Sequence, residues 1–417
     1  GIKLFTLRAV LVTLIFQLCL YYFDLYDLRE IPSFTDTATR ITQAFGIGCI
    51  ALAGLYYLFP ITIIPTGVFW YSYFAICIAV ACGRALYSYL LGRRMFTRPI
   101  LLMGTGDLAA DIAAEIENRN DSGYKIAAYS GRGKPGFILK DIPFIQDAGQ
   151  YLKICKKNKI EKIVVALDDR RGAMPVRELL ICKLNGIHID MGISFYEGLT
   201  GKLLVEKVNP SWLIFSQGFN KSRKTNSAKR AMDVVLSSCG LLASLPISIF
   251  SALVIKLESP GPVLYAQKRV GLKEKYFNIL KFRSMQADAE KEGPVWALQN
   301  DTRVTRFGSF IRKVRIDEIP QMWNVLRGDM SFVGPRPERP VFVKELEKKI
   351  PYYTLRNNVK PGITGWAQVF YPYGASEEDA LRKLEYDLYY IKNMSLAMDI
   401  LIIFQTIKTV LFRKGAR

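Results

Sequence analysis

The sequence predicts a membrane protein of mixed α and α/β class. An N-terminal transmembrane helical bundle leads into a Rossmann-like α/β domain and then into a strongly basic C-terminal unit. Three observations predict it. Residues 41–83 contain no charged side chain. Residues 98–118 read as a short apolar strand, a glycine turn and an alanine-rich helix. The 417 residues carry 57 Lys+Arg against 37 Asp+Glu, a formal net charge of +20, and the length accommodates two or three domains.

The membrane region comes first. The uncharged run 41–83 contains Pro60 and Pro65 and fits two bilayer crossings of about 20 residues each, joined by a tight turn. Leu4 to Phe23 is a third apolar segment whose one charge is Arg8. Spans are expected near 4–23, 40–60 and 66–90, inside a region that ends at residue 97. A buried helix of a soluble protein is the competing reading for any one segment, but not for an uncharged run this long. Arg93, Arg94 and Arg98 follow the last span and place its end in the cytoplasm under the positive-inside rule. The 24–39 loop is then cytoplasmic too, Gly1 lies on the far side, and a fourth span is expected upstream of residue 1.

The soluble middle, 98–205, opens with the apolar Ile100–Met103, then Gly104-Thr105-Gly106 and a helix with alanines at helical spacing. Two glycines permit the tight turn of a Rossmann-like βα unit, and Ala109 stands where a third glycine would allow close helix packing. Further strands are expected at 162–169 and 186–193, which makes the pattern alternating α/β. Dinucleotide binding needs an acidic residue about 20 positions past the glycines; the segment YKIAAYSGRGKPG has none. A spacer or dimerisation domain is the better reading. The single histidine, His188, sits in an apolar strand pattern and reads as structural. That removes HExxH metalloproteases and Ser-His-Asp or Cys-His hydrolases. The seven cysteines (19, 49, 77, 82, 155, 182, 239) include no CxxC and read as reduced packing residues.

Residues 221–230, KSRKTNSAKR, read as the end of a basic linker covering 206–228 and the approach to a long apolar segment, 231–257. By length that segment could cross a bilayer. Both flanks are basic, however: Lys221, Arg223, Lys224, Lys229 and Arg230 precede it, and Lys256, Lys268, Arg269, Lys273 and Lys275 follow. A crossing shows a one-sided bias, and Pro246 falls in the middle, where it removes a backbone donor. A re-entrant helix that breaks at Leu245-Pro246 and returns to the same face satisfies both facts. Asp233 is expected to pair with Lys229 or Arg230.

The remaining chain is dense in distinctive segments: KFRSM, NDTRVTRFGSFIRKVRIDEIPQMWNVLRGDMSFVGPRPERP and VKPGITGWAQV. Lys281, Arg283, Arg303, Arg306, Arg312, Lys313 and Arg315 form a basic groove around the adjacent acids Asp317 and Glu318. Carboxylates among cations suit phosphate chemistry. One can bind a divalent cation or attack phosphorus while the cations neutralise phosphate charge. Pro335 and Pro337, flanking Arg336, would hold backbone rigidly close to a ligand. Excess positive charge also fits nucleic acid, but the membrane setting argues against that partner.

In this order, these segments resemble the bacterial polyprenyl-phosphate sugar-1-phosphate transferases, the monotopic phosphoglycosyl transferases. The resemblance covers 229–417, and more loosely the layout of membrane spans followed by a Rossmann-like domain. The tail YPYGASEEDALRKLEYDLYYIKNMS resembles the branch associated with exosortase-type exopolysaccharide loci. The family implies transfer of a sugar-1-phosphate from a UDP-sugar, a hexose such as glucose or galactose, to undecaprenyl phosphate. UMP is released through a covalent phosphosugar-aspartate, as the first membrane step of exopolysaccharide or O-antigen synthesis. It implies Asp317 as nucleophile, Glu318 beside it in metal or proton handling, and magnesium held by Asp317 and Glu318. Arg312 and Arg336 would hold phosphate or uridine, with Lys281, Arg283, Pro335 and Pro337 completing substrate binding.

The implied location is the cytoplasmic face of a bacterial inner membrane, with the bilayer, a homodimer and no nucleic acid as partners. Two features depart from the family pattern: Leu245 precedes Pro246 in place of serine, and Phe370 follows GWAQV in place of asparagine. The C-terminal apolar segment, ending with Lys408, Arg413, Lys414 and Arg417, fits an interfacial helix on anionic lipid. A membrane-bound nucleotide-sugar dehydratase or epimerase is the rival enzyme. It needs a Tyr four residues before a Lys, and the sequence has no such pair. A non-enzymatic scaffold with a decayed groove is opposed by the intact acid pair.

Overall fold

The computed structural model describes all residues except 1, 27–33, 93–96, 120, 132–138, 140–141, 168–173, 209, 287–302, 372–373, 375 and 412–417. The chain forms two compact units, Gly1–Phe195 and Tyr196–Arg417.

The first unit opens with three helices, α1 (Ile2–Tyr22), α2 (Phe34–Leu58) and α3 (Thr66–Gly92). Each is long and apolar enough to cross a membrane, over Phe5–Tyr22, Thr35–Leu58 and Gly67–Leu90. They present apolar side chains outward: Tyr57 is 87 % exposed and Ile50 72 %, a surface that needs lipid and not water around it. Aromatic rings hold the three together, with Phe16 and Phe45 centroids 5.0 Å apart and Phe45 and Tyr73 5.3 Å apart. Arg8, the one charge within the apolar stretch Phe5–Tyr22 of α1, donates from Nε and Nη2 to the Ile61 carbonyl in the α2–α3 turn, at 2.9 and 2.7 Å. Arg93 and Arg94, on which the orientation rests, lie outside the described residues.

A five-stranded parallel sheet follows, in the order β3-β2-β1-β4-β5. Its members are β1 (Arg98–Met103), β2 (Tyr124–Ser130), β3 (Phe144–Ile145), β4 (Lys162–Val165) and β5 (His188–Met191). The helices α4 (Asp107–Asn118), α5 (Tyr151–Lys157) and α6 (Val176–Leu184) alternate with them. The central strand β1 has Ile100, Leu101, Leu102 and Met103 all buried, as a parallel strand covered on both faces requires. Gly104 sits at φ 138°, where a Cβ would fall 2.1 Å from the Ala166 carbonyl oxygen; that position needs glycine. The strand after the glycine turn, where dinucleotide binding would need an acid, is β2, and it ends in Ser130, whose Oγ lies 3.0 Å from the Tyr151 hydroxyl. His188 is exposed at the start of β5.

α7 (Gly192–Thr200) leads into the second unit. After α8 (Pro210–Phe215), helix α9 runs from Arg223 to Glu258 without interruption and contains Pro246. This corrects two expectations. Residues 223–230 are the first turns of α9 and not a linker, because Ser222 caps the helix by accepting from the Thr225 amide at 3.1 Å and lysines and arginines propagate it. Pro246 does not end the helix. It withholds one donor from the Leu242 carbonyl, and Ser244 Oγ donates to the neighbouring Leu241 carbonyl at 3.3 Å.

Around α9 lie the antiparallel hairpin β6 (Leu264–Val270) and β7 (Tyr276–Phe282), the helices α10 (Arg306–Lys313) and α11 (Gln321–Arg327), and the short parallel pair β8 (Ser331–Val333) and β9 (Gly362–Thr364). Helices α12 (Pro340–Lys349), α13 (Trp366–Phe370), α14 (Glu377–Asn393) and α15 (Leu396–Leu411) complete the unit. The expected pairing of Asp233 is corrected as well: its Oδ1 accepts from the Phe332 amide at 2.8 Å and Ser331 Oγ at 3.0 Å. Lys229 instead meets Asp399 Oδ2 at 2.7 Å, the Val333 carbonyl at 3.0 Å and the Tyr390 hydroxyl at 3.1 Å. Arg230 donates to the Val325 and Leu326 carbonyls, both at 2.6 Å. Helix α15 leaves Ile400, Leu401, Phe404 and Ile407 about 40 % exposed or more; Arg413, Lys414 and Arg417 lie outside the described residues.

The β8–β9 pair tolerates no side chain at Gly362, where a Cβ would stand 2.1 Å from the Gly334 nitrogen. Gly362→Ala should therefore destabilise the protein by about 2–3 kcal/mol. Gly198→Ala, in an open exposed position of α7, should stabilise it by up to about 1 kcal/mol. Denaturant midpoints of the detergent-solubilised chain read both. A Gly362→Ala protein as stable as its parent would mean that β8 and β9 do not meet as described.

Candidate active site

The acid pair is placed by a sharp change of direction. Helix α10 starts on Thr305, whose side chain accepts from the Gly308 amide at 2.9 Å, and it ends just before Arg315. Arg315 adopts a left-handed conformation (φ 57°), which turns the chain inward into a short 3-10 turn, Ile316–Glu318. Both acids of that turn are buried, Asp317 at 7 % exposure and Glu318 at 8 %. Just beyond, α11 is pinned to β7 by Asn324, whose Oδ1 accepts from the Leu280 amide at 2.9 Å and whose Nδ2 donates to the Asn278 carbonyl at 2.8 Å. That registers the acid turn against the strand residue Lys281.

Lys281 then bridges the pair. Its Nζ lies 3.1 Å from Glu318 Oε1 and 3.7 Å from Asp317 Oδ2. Arg336 Nη2 approaches the same Glu318 oxygen at 3.0 Å, and Arg315 Nη1 reaches Glu318 Oε2 at 3.4 Å. Burial raises the Asp317 carboxyl above its ordinary value, helped by the Glu318 anion; Lys281, Arg312 and Arg336 offset this only in part. Burial pushes Glu318 the same way, but there Lys281, Arg336 and Arg315 outweigh it and hold the carboxyl well below the usual carboxylate range. Adjacent carboxyls pushed apart in this way divide the labour of a site: one stays ionised while the other is poised.

Of the residues expected here, the structure brings together Asp317, Glu318, Lys281, Arg336 and Arg312, the last felt through its charge on Asp317. Pro335 and Pro337 are buried on either side of Arg336. Arg283 is a correction. It is buried, and it donates to the carbonyls of Pro260 at 2.8 Å and Ser259 at 2.7 Å, and to Ser259 Oγ at 2.9 Å. Its guanidinium donates to the chain just beyond α9 and, at 3.4 Å, to the Ile255 carbonyl of the helix's last turn, where carbonyls need donors, instead of to the acid pair. Arg306 and Lys313 are exposed on α10. Sequence reasoning missed Asn324, Arg269, Arg356 and Asp387, which hold the site's backbone; they lie far apart in the chain and carry no spacing signal. Four cations facing two carboxylates leave a surplus of positive charge, suited to a diphosphate.

A family model described as bacterial sugar transferase matches residues 224–413, and one described as CoA-binding domain matches residues 21–186. Three relatives are similar to this chain. A UDP-N-acetylgalactosamine-undecaprenyl-phosphate N-acetylgalactosaminephosphotransferase of Aeromonas hydrophila is 50% identical over 250 residues, which cover 60% of this chain and 58% of the relative. An undecaprenyl-phosphate glucose phosphotransferase of Komagataeibacter xylinus is 32% identical over 93% of this chain and 75% of its own length. A UDP-glucose:undecaprenyl-phosphate glucose-1-phosphate transferase of Escherichia coli (strain K12) is 33% identical over 83% of this chain and 75% of its own length.

The charge arrangement makes opposite demands on two variants. Lys281→Met should raise the Asp317 carboxyl further, because Lys281 is the strongest charge holding it down. Glu318→Gln should lower it, because a neighbouring anion disappears. Isotope-edited infrared titration, taken as a difference against Asp317→Asn, reads both shifts. Movement in the same direction in the two variants would contradict the assignment.

Proposed function

The chain belongs to the bacterial sugar transferase family, and on that premise we propose that it transfers a sugar-1-phosphate from a UDP-sugar to undecaprenyl phosphate, releasing UMP. The observation that carries this reading is the buried Asp317–Glu318 pair bridged by Lys281 and capped by Arg336. In the first step an Asp317 carboxylate oxygen attacks the β-phosphorus. The phosphoanhydride bond breaks, and its bridging oxygen leaves on UMP with the electron pair. Asp317 and the sugar-1-phosphate are now joined as an acyl phosphate. A phosphate oxygen of undecaprenyl phosphate then attacks the same phosphorus, the aspartate leaves as carboxylate, and the lipid diphosphate sugar results.

Attack requires ionised Asp317, so the charges of Lys281 and Arg312, which oppose its burial, are part of the chemistry. Arg312 and Arg336 would bind the diphosphate as charge develops on the leaving oxygen. Glu318, held ionised by three cations, suits charge balance and metal holding better than proton delivery. Magnesium commonly takes one or two carboxylates and completes its shell with substrate phosphates and water. Asp317 and Glu318 fit that mode; among the described residues no group of three acidic, His or Cys side chains could hold a metal unaided. Bound there, magnesium would neutralise diphosphate charge. The sugar is a hexose of the glucose or galactose type, the pathway exopolysaccharide or O-antigen synthesis, and the working state a homodimer joined through the Rossmann-like domain.

The same reading puts the active site on the cytoplasmic face of the bacterial inner membrane, with α9 re-entrant. Both ends of α9 are bonded within one compact unit, and this supports the placement. Near its start Arg230 holds the Val325 and Leu326 carbonyls of α11. Near its end Ile255 packs with Phe282 and Ile311, and Glu258 accepts from the Phe307 amide of α10 at 2.9 Å. A full crossing would put α10 and α11 on opposite sides of a hydrocarbon core of about 30 Å. The connection 314–320 is too short for that even when extended, at about 3.5 Å per residue.

Asp317→Asn should abolish UMP release from a panel of UDP-sugars, because an amide forms no acyl phosphate, and Glu318→Gln should be severely impaired. Arg312→Ala and Arg336→Ala should each weaken UDP-sugar use by about 1.5–3 kcal/mol, the size of a hydrogen bond to a charged group. Near-parental turnover by Asp317→Asn would sink the covalent mechanism.

Topology has its own test. Single cysteines at Lys224 and Lys273, in a chain otherwise free of cysteine, should both escape an impermeant thiol reagent added outside intact cells. Labelling at position 273 alone would show a crossing helix.

A further inference from the structure

We infer that the buried Arg356–Asp387 ion pair positions Arg336, and through it the acid pair; the kinetic half of its test rests on the transfer reading above. The loop 334–338 is held along its whole length. The Gly334 amide donates to the Thr364 carbonyl at 2.8 Å, and the Pro335 carbonyl accepts from the Gly362 amide at 2.9 Å. The Arg336 carbonyl accepts from Arg356 Nη2 at 2.9 Å, the Pro337 carbonyl from Arg269 Nη1 at 3.0 Å, and the Glu338 carbonyl from the Val270 amide at 3.0 Å. Two prolines supply no donors of their own, so the loop depends on these outside partners. Its central contact, at the residue whose side chain reaches Glu318, comes from Arg356.

Arg356 is itself fixed from several sides. It is 7 % exposed, and Asp387 on α14 is 1 % exposed. Arg356 Nη2 lies 2.8 Å from Asp387 Oδ2 as an ion pair, and the same nitrogen donates its hydrogen bond to the Arg336 carbonyl. Nη1 donates to the Tyr353 hydroxyl at 2.7 Å, and the guanidinium stands 5.2 Å from the Tyr353 ring centroid. A planar fork held this way transmits direction as well as charge, which a lysine ammonium cannot do. The Arg336 side chain then extends 3.0 Å from Glu318 Oε1. A displacement of about 1 Å at such a group is enough to cost much of a rate. Arg356 touches neither acid in this arrangement and acts through Arg336: it is a positioning residue.

The test uses the full chain in lipid nanodiscs containing undecaprenyl phosphate, with the UDP-sugar that gives the highest turnover. Arg356→Lys keeps the buried charge, and Asp387→Asn keeps the shape. Each should lower kcat/KM for the UDP-sugar by about tenfold or more while KM for undecaprenyl phosphate stays within about twofold. Combining Arg336→Ala with Arg356→Lys should lose little beyond Arg336→Ala alone, since both remove one contact. Backbone deuterium exchange in peptides covering 334–338 should rise in Arg356→Lys, with the β1–β5 sheet unchanged. Additive losses in the double variant, or unchanged exchange at 334–338, would overturn the inference. If the parent chain releases no UMP from any UDP-sugar, the transfer reading falls, and the exchange measurement alone decides the positioning role.

Discussion

Two adjacent carboxylates buried side by side are the constraint from which much of the second unit follows. Neither could remain charged there alone, since an uncompensated buried ion costs several kcal/mol. Lys281, Arg315 and Arg336 meet that demand at Glu318, and Lys281 extends it to Asp317. Each cation comes from a different segment: a strand, the left-handed residue before the acid turn, and the proline-flanked loop. The hairpin, the turn and the loop must therefore converge, and Asn324, Arg356 and Arg269 hold their backbones where they do. The excess of cations over acids gives the site a net positive charge, which on the proposed reading suits it to phosphate.

Helix α9 supplies the frame for this convergence. Its polar first turns use Lys229, Arg230 and Asp233 to gather β8, α11 and α15, and Arg283 and Glu258 tie its far end to β7 and α10. Between these anchors the helix is mostly apolar, with Leu242 73 % exposed and Phe250 61 %. Polar ends locked into the catalytic unit, with an apolar middle left uncovered, suit a helix that presents its centre to lipid while the unit stays on one side. On the proposed reading, that arrangement would bring the chemistry to the level at which a lipid phosphate is found.

The sequence made the framework legible where local pattern determines structure. The charge-free run 41–83 located α2 and α3, and Ile100–Met103 followed by Gly104-Thr105-Gly106 located the first βα unit. Asp317 and Glu318 stood out because they are adjacent acids in a basic stretch, and Arg336 because two prolines flank it. What local pattern could not give was the partner of each long side chain. Arg283 looked like one more groove cation, yet its donors went to the carbonyls at the end of α9. Residues 223–230 looked like a linker because they are polar and basic, but a serine cap and good helix formers extend the helix through them. Arg356 and Asp387 lie 20 and 51 positions beyond Arg336 in the numbering, and tertiary packing alone brings them together.

The central claim is that Asp317 becomes covalently attached to the transferred group. The most direct measurement mixes the purified chain with a UDP-sugar in the absence of lipid acceptor, then follows UMP release and the intact mass together. The account predicts a burst of UMP matching the amount of enzyme and a phosphosugar adduct on the peptide containing Asp317; adding undecaprenyl phosphate should discharge the adduct and carry UMP release beyond one equivalent. UMP release that appears only with undecaprenyl phosphate present, and no adduct at any time, would contradict it.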